Sequence, residues 1–150
     1  MIKRIKTAGE RDASMLADLT IKEFLEKLGS GFPVPGGGSV AALTAALAAS
    51  LTEMMVNLTI GKKGYEAVEE EMKIAAQEAI RFKQKFVLAI DDDSNAYSSV
   101  MSAMRLPGVT EPEKRHREMT IQNGLKQAVL IPMTVAREAA KLMELAGNVV

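Results

Sequence analysis

Residues 33–51 read PVPGGGSVAALTAALAASL. Two prolines and three consecutive glycines lead into a serine, after which alanine and leucine take over. Alanine is the strongest helix former, so this run predicts a helix from about Ser39 to Thr59. Its small side chains suit close packing against neighbours on several sides. The glycines are a costly entrance, because glycine loses more backbone freedom on folding than any other residue. Two uses would justify them. A ligand could approach bare backbone N–H groups at the helix N-terminus, where dipole and donors favour anions or electron-rich ring edges. Alternatively, a neighbouring helix could approach so closely that no side chain fits. A phosphate-binding loop is excluded, because no Gly-Lys-Ser/Thr follows and no strand precedes. A dinucleotide fingerprint fails for the same lack of a strand.

Working outward, the chain reads as helices. Thr20 and Glu23 form a capping box before Ile21, Phe24, Leu25 and Leu28, and Gly29 or Gly31 stops that helix. Val68, Met72, Ala75, Ala79, Phe82, Phe86 and Ala89 recur at spacings of four and three, the seam of a long third helix. The same spacing continues through Asp93, Ala96, Val100 and Ala103, and LPGVTEP (106–112) ends it. A last helix is expected over about 113–147, with Leu125, Val129, Ala136, Ala139 and Met143 on its seam and a kink at Pro132, which lacks an N–H. The fold class is therefore all-α, an antiparallel bundle of four to five helices with long third and last members. Residues 1–13 read as a loose arm before a single domain over 14–150.

Composition narrows the function classes. The chain has 150 residues, enough for one domain with a real core. Lys+Arg and Asp+Glu both number 19, so no global basic field draws it to nucleic acid. Cysteine is absent and histidine occurs once, which removes thiolate chemistry and makes no case for a metal site. Residues 39–61 have the length of a bilayer span, but Glu53, Asn57 and five hydroxyl residues interrupt them, so no membrane is expected. The N-terminus lacks an apolar signal core, and a cytoplasmic location is expected.

Polar residues that break the pattern are the candidate site. At 100° per residue, Ser39, Ser50, Glu53 and Asn57 share an arc of about 60° on the second helix. This stripe either faces water or lines a cavity opening at the glycines. In AIDDDSNAY (89–97) the seam selects Asp93, while Asp91 and Asp92 lie off it. Tyr97 follows Asp93 by one turn on nearly the same face. A carboxylate on a core seam must be paired, hydrogen-bonded or pKa-shifted, and such groups cluster at functional sites. The other reading is a helix break capped by Asp or Ser. GKKGY (61–65) is either solvated surface or a source of Lys62 and Lys63 for an anionic ligand. His116 lies in a charged run without ligand or triad spacing, and the ten methionines read as core filler.

The segment PVPGGGSVAALTAALAASLTEMMVNLTIGKKGY (33–65) resembles the cyclodeaminase/cyclohydrolase family. DSNAYSSVMSAMRLP (93–107) and AVLIPMTVAREAAKLMELAGN (128–148) carry the resemblance further, over roughly residues 18–148. That family unites the cyclodeaminase domain of formiminotransferase-cyclodeaminase with stand-alone methenyltetrahydrofolate cyclohydrolases. The resemblance implies an all-helical homodimer acting on tetrahydrofolate derivatives, with no tightly bound cofactor and no metal. It implies a further stretch of helix beyond the AGN region, so the C-terminus is expected to be short. Cyclohydrolase is the expected activity, and cyclodeaminase or a non-catalytic folate-binding remnant are the alternatives. In that chemistry Asp93, Glu53 and Ser39 are the candidate catalytic residues. Pro35, Gly36, Gly37, Gly38, Asn57, Lys62, Lys63 and Tyr97 are the candidate substrate-binding residues. Asp93 would stabilise the cation and relay the proton, Glu53 or Asn57 would orient water or ammonia, and Lys62 and Lys63 would meet the glutamate tail.

Overall fold

The computed structural model describes residues 15–149. The expected arm over residues 1–13 lies outside them. Four α-helices follow one another: α1 (Ile21–Leu28), α2 (Gly37–Thr59), α3 (Glu69–Met104) and α4 (Glu111–Asn148). Single 3-10 turns at Leu16–Asp18 and Glu66–Val68 complete the order, with no strand among the described residues. The all-α bundle with long third and last helices is as the sequence predicts.

Start signals behave as local chemistry dictates. Thr20 accepts from the Glu23 N–H while the Glu23 carboxylate accepts from the Thr20 N–H, a reciprocal capping box. Thr110 and Glu113 repeat that arrangement at the start of α4, two residues earlier than the expected boundary. The helix at the glycines also starts two residues early: Gly36 is its N-cap, so Gly37 and Gly38 lie within its first turn. α3 runs unbroken through Asp91–Asp93, so those carboxylates do not cap a helix break.

Contacts along the helices give their directions. Ser39 of α2 meets Ile90 and Asp93 of α3, whereas Glu53, further along α2, meets Lys83, earlier on α3. These helices are therefore antiparallel. Lys85 meets Glu138 and Val100 lies against Gly124, so α3 and α4 are antiparallel too. A Cβ on Gly124 would sit 3.1 Å from Val100 Cγ2, tighter than ordinary contact, which is why the crossing takes glycine.

The core forms where the alanine face of α2 meets α3. Ala42, Ala45, Ala46 and Ala49 pack with Phe86 and Ile90 of α3, Val135 and Leu142 of α4, and Phe24 of α1. Phe82 stacks beside Phe86 with ring centroids 6.2 Å apart. Met72, Ala75, Ala79, Phe86, Ala96, Val100 and Ala103 are buried, so the α3 seam is realised.

Two packing expectations need correction. α2 is buried on one face only: Leu47, Leu51, Met54 and Leu58 form an exposed apolar stripe on the other. It is the one helix among the described residues long and apolar enough to cross a membrane, and less than half of its most apolar window is buried. The expected α4 seam is also misplaced. Leu125, Val129 and Met143 are exposed, and the buried positions are Val135 and Leu142, about a quarter-turn away around the helix. The long α4 is apolar on more than one side, so spacing alone does not select the side that packs.

Candidate functional site

The glycine entrance has an occupant from its own chain. The Asp93 carboxylate reaches across from α3 to the first turn of α2, where Oδ2 accepts from the Ser39 N–H at 2.9 Å. Ser39 Oγ lies 3.2 Å from the same oxygen. A Cβ on Gly38 would overlap the Asp93 carboxylate itself. Gly38 is therefore glycine because a carboxylate from 55 residues further along the chain fills the space a side chain would take. Negative charge is favoured at a helix N-terminus, so Asp93 closes α2 by both dipole and hydrogen bond.

Ser39 anchors the arrangement from beneath. It is fully buried. Its hydroxyl donates to the Ile90 carbonyl at 2.8 Å and lies 3.2 Å from the Ser94 hydroxyl. Asp93 is half-buried, with Tyr97 exposed one turn further along α3. Pro35 is buried directly before the loop and follows a cis peptide bond. Pro35, Gly36, Gly37, Gly38, Ser39, Asp93 and Tyr97 thus form one neighbourhood.

The remaining candidates do not join it. At 1.5 Å per residue, Glu53 lies roughly 21 Å along α2 from Ser39, and Asn57 roughly 27 Å. Glu53 pairs with Lys83 of α3 at 2.5 Å. Asn57 is exposed. Lys62 and Lys63 lie in the exposed turn beyond the far end of α2, with Lys62 Nζ 4.7 Å from the Tyr65 ring centroid. The polar stripe is real in angle but stretched along the helix, and only Ser39 of its four residues is fully buried.

Sequence reasoning missed three participants. Ser94 is buried against Ser39, although it sits beside Asp93 in the very motif that stood out. Asp91, placed off the seam, is buried: it accepts from the Leu16 N–H and, at 3.1 Å, from the Ala17 N–H. The side of α3 away from that seam is the face that receives the N-terminal turn at Leu16–Asp18. Glu138 of α4 accepts from both Lys85 and Lys141, and these, Lys141 first, hold its carboxyl down at about 2. A cavity opening at the glycines, one of the two readings of the stripe, is distinct from a groove that α3 and α4 form. That groove, of about 510 Å³, runs between α3 and α4 past Lys85, Asp92, Leu130, Val135 and Glu138, and includes no residue of the glycine loop. It is open and largely apolar, whereas the convergent polar groups are at Asp93. Among the described residues no group of three acidic or histidine side chains could hold a metal ion.

Residues 20–150 match the family described as Formiminotransferase-cyclodeaminase. The chain belongs to the formiminotransferase-cyclodeaminase family. Among its relatives, a methenyltetrahydrofolate cyclohydrolase of Methylorubrum extorquens is 39% identical over 132 residues, covering 88% of this chain and 64% of that protein. The formimidoyltransferase-cyclodeaminase of Gallus gallus is 35% identical, covering 91% of this chain and 25% of the relative. The crystal structure of formiminotetrahydrofolate cyclodeaminase from Thermotoga maritima superposes with a TM-score of 0.66 at 28% identity, covering 88% of this chain and 73% of that one. This family member thus spans just under two thirds of the cyclohydrolase it matches and about a quarter of the bifunctional relatives. The family resemblance read from the glycine loop and the DSNAY motif is borne out.

Proposed function

We propose that this chain is a methenyltetrahydrofolate cyclohydrolase, converting 5,10-methenyltetrahydrofolate and water to 10-formyltetrahydrofolate. The observation that carries the reading is the Asp93 carboxylate, half-buried at a glycine loop in a chain 39% identical to a cyclohydrolase. Water adds to the cationic carbon between N5 and N10, the C–N5 bond breaks, and one proton is released overall. Asp93 acts as the base. Its Oδ2 is tied to Ser39, and its other oxygen, beside bare Gly38, accepts a proton from the attacking water as the C–O bond forms. That proton then passes to N5 as it leaves, while the adduct's hydroxyl proton is lost to solvent as the formyl C=O forms. Gly36 and Gly37 admit the ring against backbone, and Tyr97 borders it. Lys62, Lys63, Glu53 and Asn57 are too far along α2 to share this centre within one chain. The substrate is the only folate the chain requires, with no tightly bound cofactor, and the active form is a cytoplasmic homodimer.

The test is loss of the methenyl chromophore with purified protein against spontaneous hydrolysis. Acceleration that falls by about 10²–10⁴ in a folded Asp93→Asn variant supports the reading. Unchanged turnover in that variant removes Asp93 from the chemistry. The cyclodeaminase relatives favour a second reading, closure of 5-formiminotetrahydrofolate with release of ammonia. Growth of the chromophore from that substrate would identify it. Silence from both substrates would leave a non-catalytic folate-binding protein.

A further inference from the structure

We propose that Ser39, Ser94 and Gly38 are positioning residues that aim the Asp93 carboxylate, an inference that rests on the cyclohydrolase reading. An aspartate has only two side-chain torsions, so fixing one carboxylate oxygen fixes the other. The Ser39 N–H at 2.9 Å and the Ser39 hydroxyl at 3.2 Å both address Oδ2. Oδ1 is thereby directed alongside Gly38, where the absent Cβ leaves its space. Ser39 is itself held from two sides, by the Ile90 carbonyl at 2.8 Å and the Ser94 hydroxyl at 3.2 Å.

A count of protons explains why two serines are needed. Ser39 Oγ carries one hydrogen and has two oxygens in reach that only accept, the Ile90 carbonyl and the Asp93 carboxylate. Ser94, as the donor to Ser39 Oγ, leaves that one hydrogen free to turn to either acceptor. When Asp93 is ionised the hydrogen faces it; when Asp93 holds a proton the hydrogen returns to Ile90. The carboxylate can therefore gain and lose a proton without leaving a buried hydroxyl unsatisfied. Ser39 is fully buried and cannot itself touch substrate, so it works through Asp93.

The experiment joins a kinetic set of double-mutant cycles to a thermal cycle, both in the full chain. The first reads kcat and KM for Ser39→Ala and Ser94→Ala, each alone and combined with Asp93→Asn. Each serine variant should lose about 10-fold or more in kcat with KM changed less than about threefold, and neither should add to Asp93→Asn. Equal losses with and without the Asp93 carboxylate would overturn the proposal, because a merely structural serine would act in both backgrounds. The second cycle reads Tm for Gly38→Ala with and without Asp93→Gly. A drop in Tm that Asp93→Gly relieves supports the geometry, and a drop that persists overturns it. This second cycle needs no substrate. If the wild-type chain turned over neither folate, the cyclohydrolase reading would fall, while the Tm cycle would still decide whether Gly38 makes room for Asp93.

Discussion

Glycine 38 shows how much one missing side chain can carry. Two further glycines precede it, yet a Cβ at Gly37 meets nothing within 4 Å, whereas a Cβ at Gly38 overlaps the Asp93 carboxylate. The three glycines are therefore not equivalent. Gly38→Ala should destabilise the protein by about 1–3 kcal/mol, as overpacking does, and Gly37→Ala should be far milder. Urea unfolding of the two variants side by side would check this, and equal losses would contradict it. The sequence made part of this legible. Asp93 stood out because it interrupts an apolar seam, and the glycines stood out because they open a helix. That the two answer each other was hidden, since a pairing across 54 residues leaves no trace in local periodicity. Glu53 was misjudged for a related reason: a helical wheel reports angle and discards height, and roughly 21 Å of height separates it from Ser39.

At the scale of elements, the α3 seam was legible because one 36-residue helix keeps its buried face for its whole length. The α4 seam was not, because α4 carries apolar residues on several faces and packs only one. The start of α4 could have been read: Thr110 and Glu113 have the spacing of a capping box, and the Glu113 carboxyl is held below its usual range, first by the Thr110 N–H. Thr110→Ala should cost about 0.5–2 kcal/mol in urea unfolding. A Ser replacement should restore most of that loss, because the hydroxyl makes the cap.

Across the whole molecule, one of the ion pairs that tie helices together has a readable pH signature. Glu138 of α4 bonds Lys85 of α3 and Lys141 of its own helix, which lower its carboxyl from 4.5 to about 2. A carboxyl depressed in the folded state stabilises fully above its unfolded value and loses that contribution as pH falls toward the folded one. Stability should therefore decline between about pH 4.5 and 2, and Glu138→Gln should flatten that decline while lowering stability at neutral pH. Urea midpoints measured across the acid range decide it, and an identical acid slope in the variant would refute it. The Lys85–Glu138 contact could not be read from sequence, because α3 and α4 had first to be set antiparallel and in register.

The three consecutive aspartates of α3 point in three directions, and two of them hold the beginnings of other segments. Asp91 receives the N–H groups of Leu16 and Ala17, and Asp93 receives that of Ser39. Amide protons in the first turns of helices ordinarily exchange quickly with solvent, because no preceding carbonyl shields them. Here the acceptors belong to the middle of the longest buried seam in the protein. The deuterium uptake of Leu16, Ala17 and Ser39 should therefore be slower than that of first-turn amides open to solvent, because exchange first requires their segments to part from α3.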